Sequence, residues 1–224
     1  MKVIVFDLGG TLMQYVGMPY SWVEFYKLGF EAVCREFECR VTGDEIERSI
    51  QCLTEMNPRV NYREEEYLPE EMFAKALAHW SEKLPIKECV QVFWDGLKLK
   101  AELYPDTLSG LLVLKEKGYK IAALTDLPSG FPDERFRQDI AELMGYFDYY
   151  VSSAVSKVRK PNAGGLRMIA DKFGVSLSEL VLVGDEEKDA KTAERAGCLF
   201  VRIDRSGKRE GCIGSLEELL GTME

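Results

Sequence analysis

The second half of the chain alternates, and that alternation restricts the fold more than any other feature. From Tyr104 onward, short apolar runs at 120–124, 149–152, 180–183 and 199–203 are separated by helical patterns at 106–117, 133–144, 163–173 and 187–196. Three of these helices stop at a glycine, Gly118, Gly174 or Gly197, the residue that takes the left-handed turn after a helix at least steric cost. Strands separated by single helices pair in parallel through right-handed crossovers, and the helices cover both faces of the resulting sheet. Such a sheet binds ligands at the carboxyl ends of its strands. A short final helix is expected at 215–220.

The first half reads differently. Residues 2–6 form an apolar, β-branched strand that delivers Asp7 into the loop Asp7-Leu-Gly-Gly-Thr11. After Leu12 the period changes. Residues 21–37 carry Trp22, Phe25, Tyr26, Phe30, Val33 and Phe37 at helical spacing. Thr42-Gly-Asp-Glu45 is a capping box that opens a helix reaching about Met56. A loop follows at 57–63, and Pro69 with Glu70 and Glu71 starts a third helix, expected to run over 70–83. A fourth lies at 86–99. The block 14–95 has no strand signal. The architecture implied is α/β: a doubly wound, Rossmann-like parallel-sheet core from 1–13 and 96–224, with an all-helical cap domain, 14–95, inserted after the first strand.

Charge and cysteine usage narrow the function. The 224 residues include 38 acidic and 29 basic side chains, a formal net charge of −9. Nucleic acids and anionic membranes are bound by clustered Lys and Arg, so this balance excludes them as expected partners. No run approaches the ~20 apolar residues of a membrane span. The apolar run 3–6 is too short for a secretory leader. The six cysteines (34, 39, 52, 89, 198 and 212) contain no Cys-x-x-Cys pair, which suits reduced, mostly buried thiols in a cytoplasmic protein. The single histidine, His79, lies beside Trp80 in a helical pattern. It is expected to pack or face solvent rather than activate a cysteine.

Four segments follow predicted strands, where the ligand edge would be. They are Asp7-Leu-Gly-Gly-Thr11, Leu124-Thr125-Asp126, Arg159-Lys160-Pro161 and Gly184-Asp185-Glu186-Glu187-Lys188-Asp189. Each alone is common in loops, and Glu186, Glu187 and Lys188 alone read as a solvated first helical turn. Their order, with a helical insertion between the first and second, resembles the haloacid dehalogenase-like (HAD) superfamily across essentially the whole chain. Tyr104-Pro-Asp-Thr, the strand reaching Thr125 and the Ala196-Gly197 turn are similar to that family too.

The resemblance implies a Mg²⁺-dependent hydrolase acting on a small phosphorylated metabolite, as a monomer or homodimer. Mg²⁺ prefers a few carboxylates, a carbonyl and water. By resemblance the metal ligands are Asp7, the backbone carbonyl of Gly9, Asp185 and Asp189, and Asp7 is also the nucleophile. Thr125 donates its hydroxyl to a phosphoryl oxygen. Lys160 neutralises Asp7 and the phosphate; it is preferred to Lys157 because the family's lysine directly precedes proline. Backbone amides near Gly10 and Thr11 cradle the phosphoryl group. Asp126, standing where the family commonly has Asn, belongs to the same phosphate-binding edge. A loop hydrogen bond is its expected role, and a displaced acid/base group the alternative.

Gly9 departs from the family's phosphatases, which carry a second Asp there to protonate the leaving alcohol and activate water. Loss of a general acid or base costs about 10²–10⁴-fold, roughly 3–5 kcal/mol. The expected enzyme is therefore slow on alkyl phosphates and relatively better on acyl or aryl phosphates. Dehalogenases of the family carry Tyr at this position. Phosphonate-cleaving members carry Ala and recruit a cap lysine, for which Lys27, Lys75, Lys83 and Lys87 are available. A degenerate, ligand-binding member is the non-enzymatic alternative. Tyr15, Tyr20 and Trp22 lie early in the insertion and are candidates for substrate contact, although the spacing of Trp22 fits core packing better.

Overall fold

The computed structural model describes residues 3–222; Lys2, the first residue of the expected strand 2–6, lies outside them. The main sheet has five strands: β1 (Val3–Phe6), β4 (Lys120–Thr125), β5 (Tyr149–Ser152), β6 (Leu180–Gly184) and β7 (Leu199–Arg202). They run in the order β5-β4-β1-β6-β7, all parallel. Every residue of β1 is buried, as befits a central strand covered on both faces. Phe6 pairs with Ala123 on one side and Val183 on the other. That register brings the residues after β1, at the end of β4 and after β6 to one edge.

Two further strands, β2 (Met13–Tyr15) and β3 (Ala101–Leu103), form a two-stranded sheet. Each has three residues, too few for a period-2 pattern to register. The expected helix 133–144 is split into α6 (Asp133–Asp139) and α7 (Ala141–Met144). Between them Ile140 leaves helical backbone space (φ −113, ψ 22) with its side chain buried. Three helices of the alternating region match their expected positions closely: α5 (Thr107–Glu116), α9 (Gly164–Phe173) and α10 (Glu187–Ala196). A four-residue helix, α8 (Ser153–Ser156), follows β5, and α11 (Leu216–Thr222) closes the described chain.

The chain folds into two compact units. The first comprises Met1–Gln14, Ala101–Asp126 and Arg137–Glu224, and contains the five-stranded sheet. The second comprises Tyr15–Lys100 and Leu127–Phe136. Its helices are α1 (Tyr26–Glu36), α2 (Gly43–Glu55), α3 (Pro69–Ala76) and α4 (Ile86–Gly96). A 3-10 turn at Val23–Phe25 leads into α1, so the helical spacing from Trp22 is realised in two pieces. Thr42 caps α2 in the expected box with Glu45.

Aromatic rings fill the second unit. Phe93 lies 4.9 Å from Phe73 and 5.0 Å from Phe30, and Trp94 lies 4.8 Å from Phe131, edge to face. The helices α1 and α4 approach closely through glycines: a Cβ on Gly29 would overlap the Phe93 ring, and one on Gly96 would lie 2.6 Å from Ala32 Cβ. The third helix stops at Ala76, short of the expected 83. Beyond it Trp80 turns inward, donating from Nε1 to Ser49 Oγ at 2.9 Å, and His79 Nε2 stands 2.9 Å from the Glu45 carbonyl. His79 is therefore structural, as expected, but it sits in a turn rather than a helix. Trp22 packs against Tyr15 and Phe131, whereas Tyr20 is exposed with Arg59 stacked on its ring at 3.7 Å.

All six cysteines are free thiols, but only Cys89 is buried; the other five are partly exposed, contrary to the expectation of mostly buried thiols. Among the described residues no helix is long and apolar enough to cross a membrane.

Candidate active site

The first unit gathers four loops at the carboxyl edge of its sheet. Asp7 follows β1 and is anchored by its amide, which donates to the Val183 carbonyl at 2.9 Å. Its neighbours Gly10 and Gly184 are glycines for steric reasons. Gly10 has φ +78, and a Cβ there would overlap the Asp185 carboxylate. A Cβ on Gly184 would lie 2.6 Å from Asp189 Cγ. Gly9 is different. It is exposed, its φ is not positive, and an added Cβ would meet no atom within 4 Å. Nothing in the backbone demands glycine at position 9.

Lys160 reaches the centre of this edge. Its Nζ donates to Asp7 Oδ1 at 2.6 Å and to Asp189 Oδ1 at 2.5 Å, with both ends of each pair buried. The rival Lys157 is exposed at the end of α8, in left-handed backbone conformation. Lys160 joins Pro161 through a cis peptide bond. Asp189, fully buried in the first turn of α10, also accepts from the Glu186 amide at 2.9 Å. Asp185 accepts from Thr11 Oγ1 at 3.4 Å. Thr125 is buried at the end of β4, paired in register with Ser152.

Three carboxylates, Asp7, Asp185 and Asp189, each offer an oxygen, all lying within 4.8 Å of one another. One ammonium among them leaves the cluster short of positive charge. Burial pushes Asp7 well above the usual carboxylate range, and Asp189 and Asp185 add to this against the pull of Lys160. Burial, then Asp189 and Glu186, push Asp185 up to about 6. Burial opposes the charged form of Lys160, yet Asp189, Asp7 and Asp126 outweigh it and raise its pKa. A hard divalent cation fits this donor set: it prefers carboxylate oxygens and would supply the missing charge.

The amides of Gly10 and Thr11 are committed within the loop, to the Met13 carbonyl at 2.8 Å and the Leu8 carbonyl at 3.2 Å. These bonds close the loop on itself beside Asp7. Asp126 accepts from the Lys160 amide at 3.0 Å and faces Lys188 Nζ at 3.3 Å. Burial would raise it, but Lys188, Arg159 and Lys160 hold it down to about 2. These contacts fasten the loop of Lys160 to the end of β4 and hold the Asp126 carboxylate toward its charged form. Lys188 itself is not in a solvated turn: its Nζ is held between Asp126 and Glu186, at 3.3 and 3.4 Å. Its spacing in the sequence carries no sign of this, because the partner Asp126 follows another strand.

A family model described as a haloacid dehalogenase-like hydrolase matches residues 1–197. A phosphoglycolate phosphatase of Aliivibrio fischeri is 28% identical over 199 residues, covering 88% of this chain and 81% of that protein. One from Neisseria meningitidis serogroup A is 24% identical over 237 aligned positions, covering 100% and 94%. The crystal structure of a HAD phosphatase from Thermococcus onnurineus superposes with a TM-score of 0.65 at 22% identity, covering 100% of this chain and 98% of that one. The family match takes in all four loops of the sheet edge and well over half of the 224 residues; the chain belongs to the haloacid dehalogenase-like hydrolases.

Proposed function

We propose that the protein is a Mg²⁺-dependent phosphatase of a small phosphorylated metabolite, using Asp7 as nucleophile. The observation that carries this reading is the pairing of buried Asp7 and Asp189 with the Lys160 ammonium, at 2.6 and 2.5 Å, beside Asp185. In the reaction an Asp7 carboxylate oxygen attacks phosphorus, the bond from phosphorus to the leaving oxygen breaks, and the leaving group departs with its electron pair. Water then cleaves the aspartyl-phosphate and returns the carboxylate. Lys160 favours the ionised form of Asp7 against burial and the neighbouring carboxylates, and faces the phosphoryl charge that develops. Thr125 donates its hydroxyl to a phosphoryl oxygen. Asp7, the Gly9 carbonyl, Asp185 and Asp189 hold Mg²⁺, whose charge offsets that of the carboxylates and phosphate. The helical unit is read as the cap expected from the sequence, and as the source of substrate selectivity.

The names of the relatives make phosphoglycolate the first substrate to assay. Its leaving group is an alkoxide, and Gly9 has no proton to give it. Activity is therefore expected on phosphoglycolate but to be exceeded on aryl or acyl phosphates. The test is Mg²⁺-dependent phosphate release across such a panel, with wild type and Asp7→Asn. The variant should lose about 10⁴-fold or more, as nucleophile removal does elsewhere. Equal turnover by Asp7→Asn would sink the proposal.

A further inference from the structure

We infer that Arg205 and Arg202 are positioning residues for the carboxylate centre, clamping the backbone of the two loops that carry Asp7 and Asp185. The inference rests on the metal-centre reading above. Arg205 Nε and Nη2 both donate to the Thr11 carbonyl, at 2.9 and 2.6 Å. Its Nη1 donates to both carboxylate oxygens of Asp106, each at 2.8 Å, and to the Gly214 carbonyl at 3.2 Å. The guanidinium also lies 4.5 Å from the centre of the Tyr104 ring. Three residues earlier, Arg202 Nη1 donates to the Asp185 carbonyl and Nη2 to Glu187 Oε2, both at 2.9 Å.

The two clamps meet at the site. Thr11, held at its carbonyl by Arg205, donates its hydroxyl to Asp185, which Arg202 holds at its own carbonyl. A hydrogen-bonded chain thus runs from Asp106 through Arg205, Thr11 and Asp185 to Arg202. The segment that bears both arginines is itself fixed: the Ile203 amide donates to Gly184 O of β6 at 3.0 Å, and the Asp204 amide to Ile213 O, outside the sheet, at 2.8 Å. Only a planar fork of donors can hold one carbonyl twice and a carboxylate at the same time, which a lysine at 205 cannot reproduce. Outer partners of this kind set ligand geometry, and their loss typically weakens metal binding about 10–100-fold.

The experiment is calorimetric titration of the full chain with Mg²⁺, paired with thermal melts, for wild type, Arg205→Lys, Asp106→Asn, Arg202→Gln and Ile169→Val. Ile169 is buried in an apolar cluster that includes none of the site residues and controls for lost stability alone. Arg205→Lys is expected to weaken Mg²⁺ binding about 10-fold or more, and Asp106→Asn and Arg202→Gln to weaken it less. Ile169→Val should lower the melting temperature and leave the Mg²⁺ affinity as in wild type. If Arg205→Lys does not fold, Asp106→Asn and Arg202→Gln carry the test. Wild-type affinity in the folded arginine and Asp106 variants overturns this inference alone, as does equal weakening by Ile169→Val. Absence of Mg²⁺ binding by the wild type overturns the metal-centre reading and this inference with it.

Discussion

The two units bury different things. Among the described residues, the charged residues buried as a whole are Asp7, Arg159, Lys160 and Asp189, and all four belong to the sheet-bearing unit; the helical unit has one charged side chain nearly as covered, Glu66, paired with Arg63 at 3.4 Å. The polar residues buried as a whole in the helical unit are Ser49, Asn57 and Ser129, all neutral, set among aromatic rings. Burying an ion costs several kcal/mol even when it is paired. A unit that gathers three carboxylates around one lysine is therefore not organised for stability alone. The helical unit is governed by fit, through edge-to-face rings and glycine contacts between helices. Changes in one unit should act through charge, and changes in the other through volume.

The sharpest way to break that contrast is to remove its one central cation. Lys160→Met leaves Asp7 and Asp189 buried without their partner and should cost about 3–5 kcal/mol of stability. Turnover should fall by roughly 10²-fold or more at the same time. Urea melts and a phosphatase assay read both, and a stable, active Lys160→Met would dissolve the distinction. Phe93→Ala empties the middle of the aromatic cluster in the helical unit, and should cost about 3 kcal/mol. Its Mg²⁺ affinity, measured by calorimetry, should match wild type.

A pH series sharpens the contrast further. Asp185 is raised to about 6 in the folded chain. A raised acid binds its proton more tightly folded than unfolded. Its contribution is present below the unfolded value of about 3.9 and is lost as pH rises through about 6. The metal-free protein should therefore lose stability, on the order of 2 kcal/mol, between pH 4 and pH 7 from this group. Mg²⁺ should raise the melting temperature more at pH 7.5 than at pH 5. An equal Mg²⁺ shift at both values would mean the carboxylates are not where the ion binds. The smallest expected effect is in the helical unit. Ser49→Ala removes the acceptor of Trp80 and the donor to the Ala76 carbonyl, costing about 1 kcal/mol with no change in the pH profile.

Where the chain is legible, the signal is local. Central strands such as 180–183 are continuous apolar runs, and Gly174 and Gly197 end the helices α9 and α10 with left-handed turns. Asp7, Thr125, Lys160 and Asp185 can be anticipated together because a parallel sheet puts every strand's carboxyl end on one edge. What the sequence does not carry is contact between distant segments. Nothing local to Arg205 points to Thr11, 194 residues away, or to Asp106. Nothing near Phe131 announces that it packs on Trp94. The end of α3 at Ala76 escapes the pattern because Trp80 continues the helical spacing while its indole turns to reach Ser49.

Position 9 carries the central claim, that this site is a phosphatase lacking one proton-transfer group. Gly9 is exposed and an added Cβ there meets no atom within 4 Å, so a side chain can start at this position. The decisive measurement is kcat/KM against leaving-group pKa, over a series of phosphate esters, for wild type and Gly9→Asp. A steep fall with rising leaving-group pKa in the wild type, flattened in Gly9→Asp and with alkyl phosphates turned over at least about tenfold faster by the variant, is the result expected. Identical slopes and rates in the two proteins would contradict it.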